Sequence, residues 1–431
     1  MKSVKFCKEG NGYVFMKKRY LAIISFLILG SFCWLNCRIN NENTEDIIGI
    51  YIEGEYSTSV PLKDSDYYVE KIECDNGSSG EWDYVNWGLL TTNMSKKSKC
   101  NVYFRKDTIV EAIKNELDTT GKCPSVNADG SVNVTSAESE NSLLCSAPDN
   151  YGTSYYYRGN VSNNYVYFAN FYWRIVRING DGSIRLIYDG TKAHENGEAS
   201  ADRIIGTSAF NEKCDDNAYV GYMYGTPGSA TYEETHANIN DSTIKKYVDN
   251  WYENNLNGTN LEKYLADNLF CNDRGFSDIL ANGYNNFGYY YNSTYYRWAL
   301  GPWDNDTKNK PNLYCNNKND RFTVSDTIYG NGNLKYKISL INTDEVVLNG
   351  LYKWNVKNER SYLYTGNEYF TLSPGNKYTD KFTLIRIVSE LGSSDGGGNV
   401  QDSLGVKPVI NLKQGALKTG NGTITNAYLV D

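Results

Sequence analysis

The sequence predicts an α+β fold in which a small β-sandwich-like module precedes a larger α+β domain. Short stretches of alternating apolar and polar residues, bounded by Gly, Asn and Ser, recur along the chain and are typical of β-strands. Two later stretches, 242–256 and 260–270, have apolar residues at helical spacing. The 431 residues suffice for more than one domain. We expect four parts: an export segment at 1–40, a disulfide-bearing β module at 46–107, a connector at 108–150 and the α+β domain at 151–431.

The first part has the features of an export signal. Three basic residues, Lys17 to Arg19, precede a sixteen-residue apolar run from Tyr20 to Leu35. This length lies between a signal-peptide core and a full membrane span of about 20 residues. The segment is therefore either a cleaved signal peptide, which makes the protein secreted, or a retained membrane anchor, which holds it at the cell surface. In both cases we expect the rest of the chain to be exported.

Composition restricts the partners of the exported part. Beyond residue 40 the chain has 36 basic and 50 acidic residues, so its formal charge is near −14. This charge argues against a nucleic-acid partner. The 38 Tyr and the many Asn suit a sugar-binding surface, because aromatic faces stack on sugars and amides bond to hydroxyls. An AT-rich genome explains the same composition without any functional role, and this explanation is the simpler one.

Seven cysteines follow the export segment, and outside the cytoplasm such residues form disulfides by default. Pairing them in sequence order gives three bridges and leaves Cys214 over, although six cysteines alone already allow 15 pairings. The chain has two His and no C-x-x-C motif, which argues against zinc; we predict no metal and no cofactor. The expected bridges are Cys74–Cys100, Cys123–Cys145 and Cys271–Cys315.

The β module and the connector follow from local patterns. Alternating runs at 48–52 and 68–72 predict strands, a further strand is expected at 101–104, and Trp82 and Trp87 are expected to be buried between them. From Thr108 to Leu117, apolar residues recur on one helical face, so a short helix is predicted. The polar stretch 123–148 is predicted to be a loop closed by its disulfide.

The large domain begins near Tyr151. Its clearest signal is a hairpin, in which Phe171–Ile178 and Ser183–Tyr188 flank the turn Asn179-Gly-Asp-Gly. The two helices at 242–256 and 260–270 follow. Further strands are predicted at 336–341, 344–348, 369–372, 382–387 and 406–412.

Several motifs of this domain occur in a recognisable order. They are Tyr172-Trp-Arg-Ile-Val-Arg-Ile-Asn-Gly-Asp-Gly, Tyr219-Val-Gly-Tyr-Met-Tyr-Gly, Leu340-Ile-Asn-Thr-Asp-Glu-Val and Gly405-Val-Lys-Pro-Val-Ile-Asn-Leu. This order resembles an uncharacterised family of exported proteins of low-GC bacteria. The resemblance implies a C-type-lectin-like fold, related to that of the formylglycine-generating enzyme. It implies no activity, and Cys271 and Cys315 do not match the close cysteine pair that a copper-dependent oxidase of that kind requires.

An aromatic-rich stretch at 288–303 is the best candidate binding site in the sequence. It has neither helical nor strand periodicity, so not all of its rings can face a core, and clustered exposed aromatics mark recognition surfaces. The alternative is that the rings pack beneath the Cys271–Cys315 bridge. The predicted binding residues are Tyr290, Tyr291, Tyr296, Trp298 and Trp303.

Catalytic and metal-binding patterns are weaker. Cys214 lies between His194 and His236 in the sequence, and Asp202, Asp215 or Asp216 could orient a histidine, but no nucleophile signature surrounds it. Acid pairs suited to glycoside hydrolysis or to calcium are expected in any acidic chain, and we predict no catalytic residue. The acid pairs are Glu233-Glu234, Asp344-Glu345 and Asp304 with Asp306, and the calcium candidates are Asp304 with Asp306 and the turn Asn179-Gly-Asp181-Gly.

Together these observations predict an exported or cell-surface binding protein that recognises a glycan or a protein without catalysis. The alternatives are an extracellular hydrolase and a structural component of the cell envelope. The membrane is a partner only if the N-terminal segment is retained, and nucleic acid is not expected.

Overall fold

The computed structural model describes residues 2–3, 5–9, 12–16, 48–95, 98–134, 142–275, 284–285, 288–289, 310–351, 358–379 and 382–430. The predicted export run at 20–35 lies outside these residues. Among the described residues, no helix is both long and apolar enough to cross a membrane. Contacts divide the chain into two compact units, residues 1–108 and 109–431, and each is described by itself.

The first unit is built from short strands in two sheets and a hairpin. The sheets have the strand orders β5-β4-β9-β6 and β1-β8-β7, and β2 pairs with β3. Strands β4 and β9 run parallel, whereas their outer neighbours run antiparallel to them. The strands are β1 (Lys2–Ser3), β2 (Lys5–Glu9), β3 (Gly12–Met16), β4 (Ile48–Ile52), β5 (Glu55–Ser57), β6 (Tyr67–Cys74), β7 (Ser79–Asp83), β8 (Gly88–Thr92) and β9 (Cys100–Lys106).

Alternation along β4 and β9 decides which face of the four-stranded sheet is buried. Ile50, Val102 and Phe104 point to one face and are almost completely buried. Trp82 and Trp87 pack edge-on against each other over this face, with ring centroids 5.4 Å apart, so the prediction that both are buried is confirmed. The residues that alternate with Ile50, Val102 and Phe104 along these strands, such as Tyr51 and Tyr103, therefore lie on the opposite face.

A nine-stranded sheet forms the centre of the second unit. Its middle is the predicted hairpin, which is confirmed: β13 and β14 pair antiparallel, and Gly182 at the turn has a positive φ of 84°. Both strands are buried along most of their length. The strands of this sheet are β10 (Ser142–Asp149), β11 (Gly152–Gly159), β12 (Tyr165–Phe168), β13 (Phe171–Ile178), β14 (Ile184–Gly190), β22 (Ile338–Leu340), β27 (Pro408–Leu412), β28 (Leu417–Thr419) and β29 (Tyr428–Val430).

A five-stranded sheet and three short strand pairs complete the second unit. The five-stranded sheet contains β15 (Thr207–Ser208), β23 (Tyr369–Thr379), β24 (Phe382–Val388), β25 (Ser394–Asn399) and β26 (Leu404–Gly405). The pairs are β16 (Met223–Tyr224) with β17 (Asn240–Asp241), β18 (Phe270–Cys271) with β21 (Arg321–Phe322), and β19 (Tyr284–Asn285) with β20 (Gly288–Tyr289).

Helices are few. The described part of the chain has α1 (Thr108–Lys114), α2 (Tyr232–Thr235), α3 (Thr243–Asn255) and α4 (Thr343–Asn349), with 3-10 turns at 201–203, 217–220, 262–264 and 318–320. The predicted helices at 108–117 and 242–256 are present as α1 and α3. In α3 the Ser242 side chain caps the N-terminus, and Ile244, Val248 and Tyr252 bury one face at a spacing of four residues.

The predicted α+β class is wrong, because the protein is mainly β. Strands make up 37% of the structure and helices 14%. Of the four helices in the described part of the chain, α3 alone exceeds seven residues. The C-type-lectin-like α+β domain expected for 151–431 is replaced by a unit in which sheets, not helices, carry most of the core.

Two segments account for part of this error. The segment 260–270 is not a helix: it makes one 3-10 turn and then runs extended, because Leu265 pairs with Leu412 of the large sheet. The segment 344–348 is not a strand but the helix α4. Asn342 and Glu345 form a reciprocal capping box at its start, and Gly350, with a φ of 114°, ends it.

Candidate functional site

The predicted aromatic site cannot be placed. Tyr290, Tyr291, Tyr296, Trp298 and Trp303 all lie outside the described residues. Their role in binding therefore stays a prediction.

The three predicted disulfides are confirmed. The structure joins Cys74 to Cys100, Cys123 to Cys145 and Cys271 to Cys315. These bonds indicate an oxidising environment outside the cytoplasm. Cys214 takes part in none of them, and its Sγ lies 2.9 Å from Oε1 of Gln401.

The structure gives both histidines partners of their own. His194 is completely buried, with Nδ1 2.9 Å from Glu198 and Nε2 2.9 Å from Asp202, so neither ring nitrogen is turned to Cys214. His236 stacks on Tyr232 with ring centroids 4.1 Å apart. Burial, assisted by the charge of a nearby arginine, lowers the pKa of His236 to about 2, so this ring is neutral. No described contact supports a cysteine nucleophile.

Glu345 and Asp181 serve structural roles. Glu345 is buried between two arginines, 2.9 Å from Nε of Arg177 and 2.7 Å from Nη1 of Arg185. The Asp181 carboxylate accepts hydrogen bonds from Ser183 within the hairpin turn. Glu233 and Glu234 lie exposed in the first turn of α2, and Asp304 and Asp306 lie outside the described residues. In the part of the chain that the structure describes, no three His, Cys, Asp or Glu side chains are grouped to hold a metal ion.

A different set of side chains forms an ordered surface on the first unit. Tyr56 on β5 lies opposite Tyr51 on β4, Tyr51 lies opposite Tyr103 on β9, and Tyr103 lies opposite Lys71 on β6. We call Tyr56, Tyr51, Tyr103 and Lys71 the tyrosine row. Because neighbouring strands lie about 4.8 Å apart, the row crosses the outer face of the sheet in a nearly straight line.

The rings of the tyrosine row are arranged in a definite way. Tyr51 and Tyr103 stack face to face, with centroids 4.8 Å apart and planes inclined by 17°. The Lys71 ammonium lies 4.3 Å from the centre of the Tyr103 ring. Tyr56 stands at 76° to Tyr51 and is 57% exposed, so it is the most accessible ring of the row. The stacked rings hold each other, while Tyr56 offers apolar surface to a ligand.

Further polar side chains, Glu73 and Asn101, lie beside Lys71 and Tyr103 at the Lys71 end of the row. The Glu73 carboxylate lies 2.8 Å from the Lys71 ammonium. Hydrogen bonds from Lys71 and from the Tyr103 hydroxyl lower the pKa of Glu73, and the same bond to Glu73 raises the pKa of Tyr103. Asn101, which lies opposite Glu73, also hydrogen-bonds to Tyr103. An ammonium, a carboxylate, an amide and a phenol therefore stand side by side on an open sheet face.

Gly49 makes room for this arrangement. It lies opposite Asn101 in the parallel pairing, and a Cβ at this position would stand 2.5 Å from Oδ1 of Asn101. Any larger residue would push the Asn101 side chain away from its place beside Tyr103.

The sequence contained a signal for this surface. Gly49 and Tyr51, and likewise Asn101 and Tyr103, are two residues apart on strands that the pattern predicted, so each pair shares a face. The sequence does not predict that β4 pairs with β9 and with β5. These two pairings bring the three tyrosines together.

Comparison of the chain with protein-family models, with curated proteins and with solved structures gives no match.

Proposed function

We propose that the protein is a non-catalytic binding protein of the extracytoplasmic space, which recognises a glycan through the tyrosine row. One observation carries this proposal: an exposed tyrosine ring stands in line with a stacked tyrosine pair and a cluster of hydrogen-bonding groups on one sheet face. The three disulfides support the location outside the cytoplasm. The proposal includes both states of the N-terminal segment: cleavage would make the protein secreted, and retention would anchor it at the cell surface.

The chemistry of the row suits a sugar. The C–H face of a pyranose packs on an open aromatic ring, and Tyr56 offers such a ring. Sugar hydroxyls both donate and accept hydrogen bonds, and Glu73, Asn101 and Lys71 supply acceptors and donors next to the stacked rings. Because Tyr51 and Tyr103 already hold each other in place, a ligand needs to order few side chains on binding, which lowers the entropic cost.

A glycan array probed with the full chain tests the proposal. We expect the wild-type protein to bind a limited set of glycans, and Tyr56→Ala to lose this binding while it stays folded. Leu62→Ala is the matched control, since Leu62 is an exposed apolar residue of the same unit, 43% accessible, outside the row. Unchanged array binding by Tyr56→Ala, or equal loss in both variants, contradicts the role of the row. Binding to proteins and to no glycan contradicts the ligand class.

A further inference from the structure

The groups of the tyrosine row that suit contact with a ligand are divided between its two ends. Tyr56 stands at the β5 end, with 57% of its surface exposed. Glu73 and Asn101 lie beside Lys71 near the β6 end, where they supply hydrogen-bonding groups. A ligand that uses both ends must therefore cross the face of the sheet.

The rings between the two ends have their faces turned to each other. Tyr51 stacks on one face of Tyr103, with centroids 4.8 Å apart. The Lys71 ammonium lies over the Tyr103 ring at 4.3 Å and comes from the other side, because β4 and β6 flank β9. Tyr56 meets the Tyr51 ring at 76°, with centroids 5.9 Å apart. Within the row, the stacking position that stays open to a sugar ring is therefore Tyr56.

The separation of the two ends sets the length of a ligand that reaches both. Four neighbouring strands cover about 14 Å at the usual spacing of about 4.8 Å, and the row follows this direction in register. A pyranose unit is about as long as one strand spacing, so one unit on Tyr56 does not reach Glu73, whereas a chain of about three units does. A single sugar therefore uses one end of the row, and an oligosaccharide uses both.

Charged groups on this face are already paired. The Lys71 ammonium lies 2.8 Å from the Glu73 carboxylate. Arg105, which shares the face because it lies two residues beyond Tyr103, is 2.7 Å from the Glu70 carboxylate. An acidic sugar beside either cation would also meet the paired carboxylate, and like charges repel. An uncharged sugar uses the pairs as they stand, with the carboxylates as acceptors and the cations as donors.

We propose that the tyrosine row binds an uncharged, linear oligosaccharide of at least about three units, laid across the strands from Tyr56 to Glu73. This inference rests on the proposed function and adds to it the length, direction and charge of the ligand. One unit stacks on Tyr56, a unit at the other end bonds to Glu73 and Asn101, and the units between them lie over the stacked tyrosine pair.

Calorimetry with the full chain tests the length and the charge of the ligand. The probes are the strongest glycan of the array and its fragments, shortened one unit at a time. We expect the affinity to rise at least about tenfold from one unit to three and to change little beyond that length. Equal affinity for one and three units, or an acidic glycan as the strongest ligand, overturns the inference and leaves the proposed function standing. Binding to no glycan overturns both.

Two variants test whether the ligand reaches both ends. Tyr56→Ala and Glu73→Ala are each expected to weaken the binding of the three-unit fragment by at least about threefold, whereas a single sugar is weakened by at most one of them. Glu81→Ala is the control, because Glu81 is an exposed acid on β7, outside the row. Circular dichroism checks that all three variants are folded. Loss in Tyr56→Ala together with unchanged binding in Glu73→Ala means that one end suffices and overturns the inference.

Discussion

At the scale of single residues, the second unit is distinguished by charges that are completely buried. Arg174, Arg177, Arg185 and Arg203 lie in its interior, and each has a carboxylate within 4 Å. Sequence patterns do not predict this, because alternation marks a strand residue as facing inwards but does not tell which acid from a distant segment will meet it. The residue that pairs with Arg177 and Arg185, Glu345, lies about 160 positions away.

Glu345 is therefore expected to be essential for stability and not for catalysis. Glu345→Gln leaves Arg177 and Arg185 without their shared charge, and breaking a buried pair costs about 3–5 kcal/mol. Urea unfolding measures this loss. Glu253→Gln is the control, because that side chain is 51% exposed and should change the free energy of unfolding by less than about 1 kcal/mol. Similar small effects in both variants would show that the buried network contributes little.

His236 is expected to make the protein sensitive to acid. Its pKa is lowered from 6.5 to about 2 by burial, so between these pH values the unfolded chain takes up a proton that the folded chain does not. Stability therefore falls as pH decreases through this range, by up to about 1.4 kcal/mol per pH unit for this group alone. Urea unfolding from pH 7 to pH 4 should show a shallower decline for His236→Gln than for the wild type. Equal slopes would contradict the assignment.

At the scale of elements, sequence reasoning succeeded where local pattern and tertiary packing agree. The hairpin of β13 and β14 and the helix α3 are examples, because their turn residues, caps and apolar spacing all favour one structure. It failed at 260–270, where pairing of Leu265 with Leu412 overrides helical spacing. It also failed at α4, whose apolar run suggested a strand although the capping box of Asn342 and Glu345 was present in the sequence.

The cap of α4 provides a test at this scale. Asn342→Ala removes the side chain that accepts the hydrogen bond from the Glu345 backbone N–H, so we expect a loss of about 1 kcal/mol in the free energy of unfolding. Asn316→Ala, at an exposed position outside any helix, should change it by less than about 0.5 kcal/mol. If the two variants are equally stable, the cap does not hold α4 in place.

At the scale of the whole molecule, the predicted disulfides are confirmed and the predicted fold class is wrong. Cysteine order sufficed for the pairing because each bridge joins neighbours along the chain, 22 to 44 residues apart. Fold class depends on how many strands find partners, and many of those partners are distant in sequence, as for β14 with β27. The tyrosine row escaped prediction for the same reason, since it exists only once four strands are paired.

Calorimetry with the strongest glycan from the array tests the central claim most directly. It compares the affinity of the full chain in three forms: the wild type, Tyr56→Phe and Tyr56→Ala. If the exposed ring of Tyr56 stacks on a sugar, Tyr56→Phe keeps the ring and should bind within a few-fold of the wild type. Tyr56→Ala should bind about tenfold more weakly, which corresponds to about 1.4 kcal/mol. Unchanged affinity in Tyr56→Ala, or equal loss in both variants, would contradict recognition through the tyrosine row.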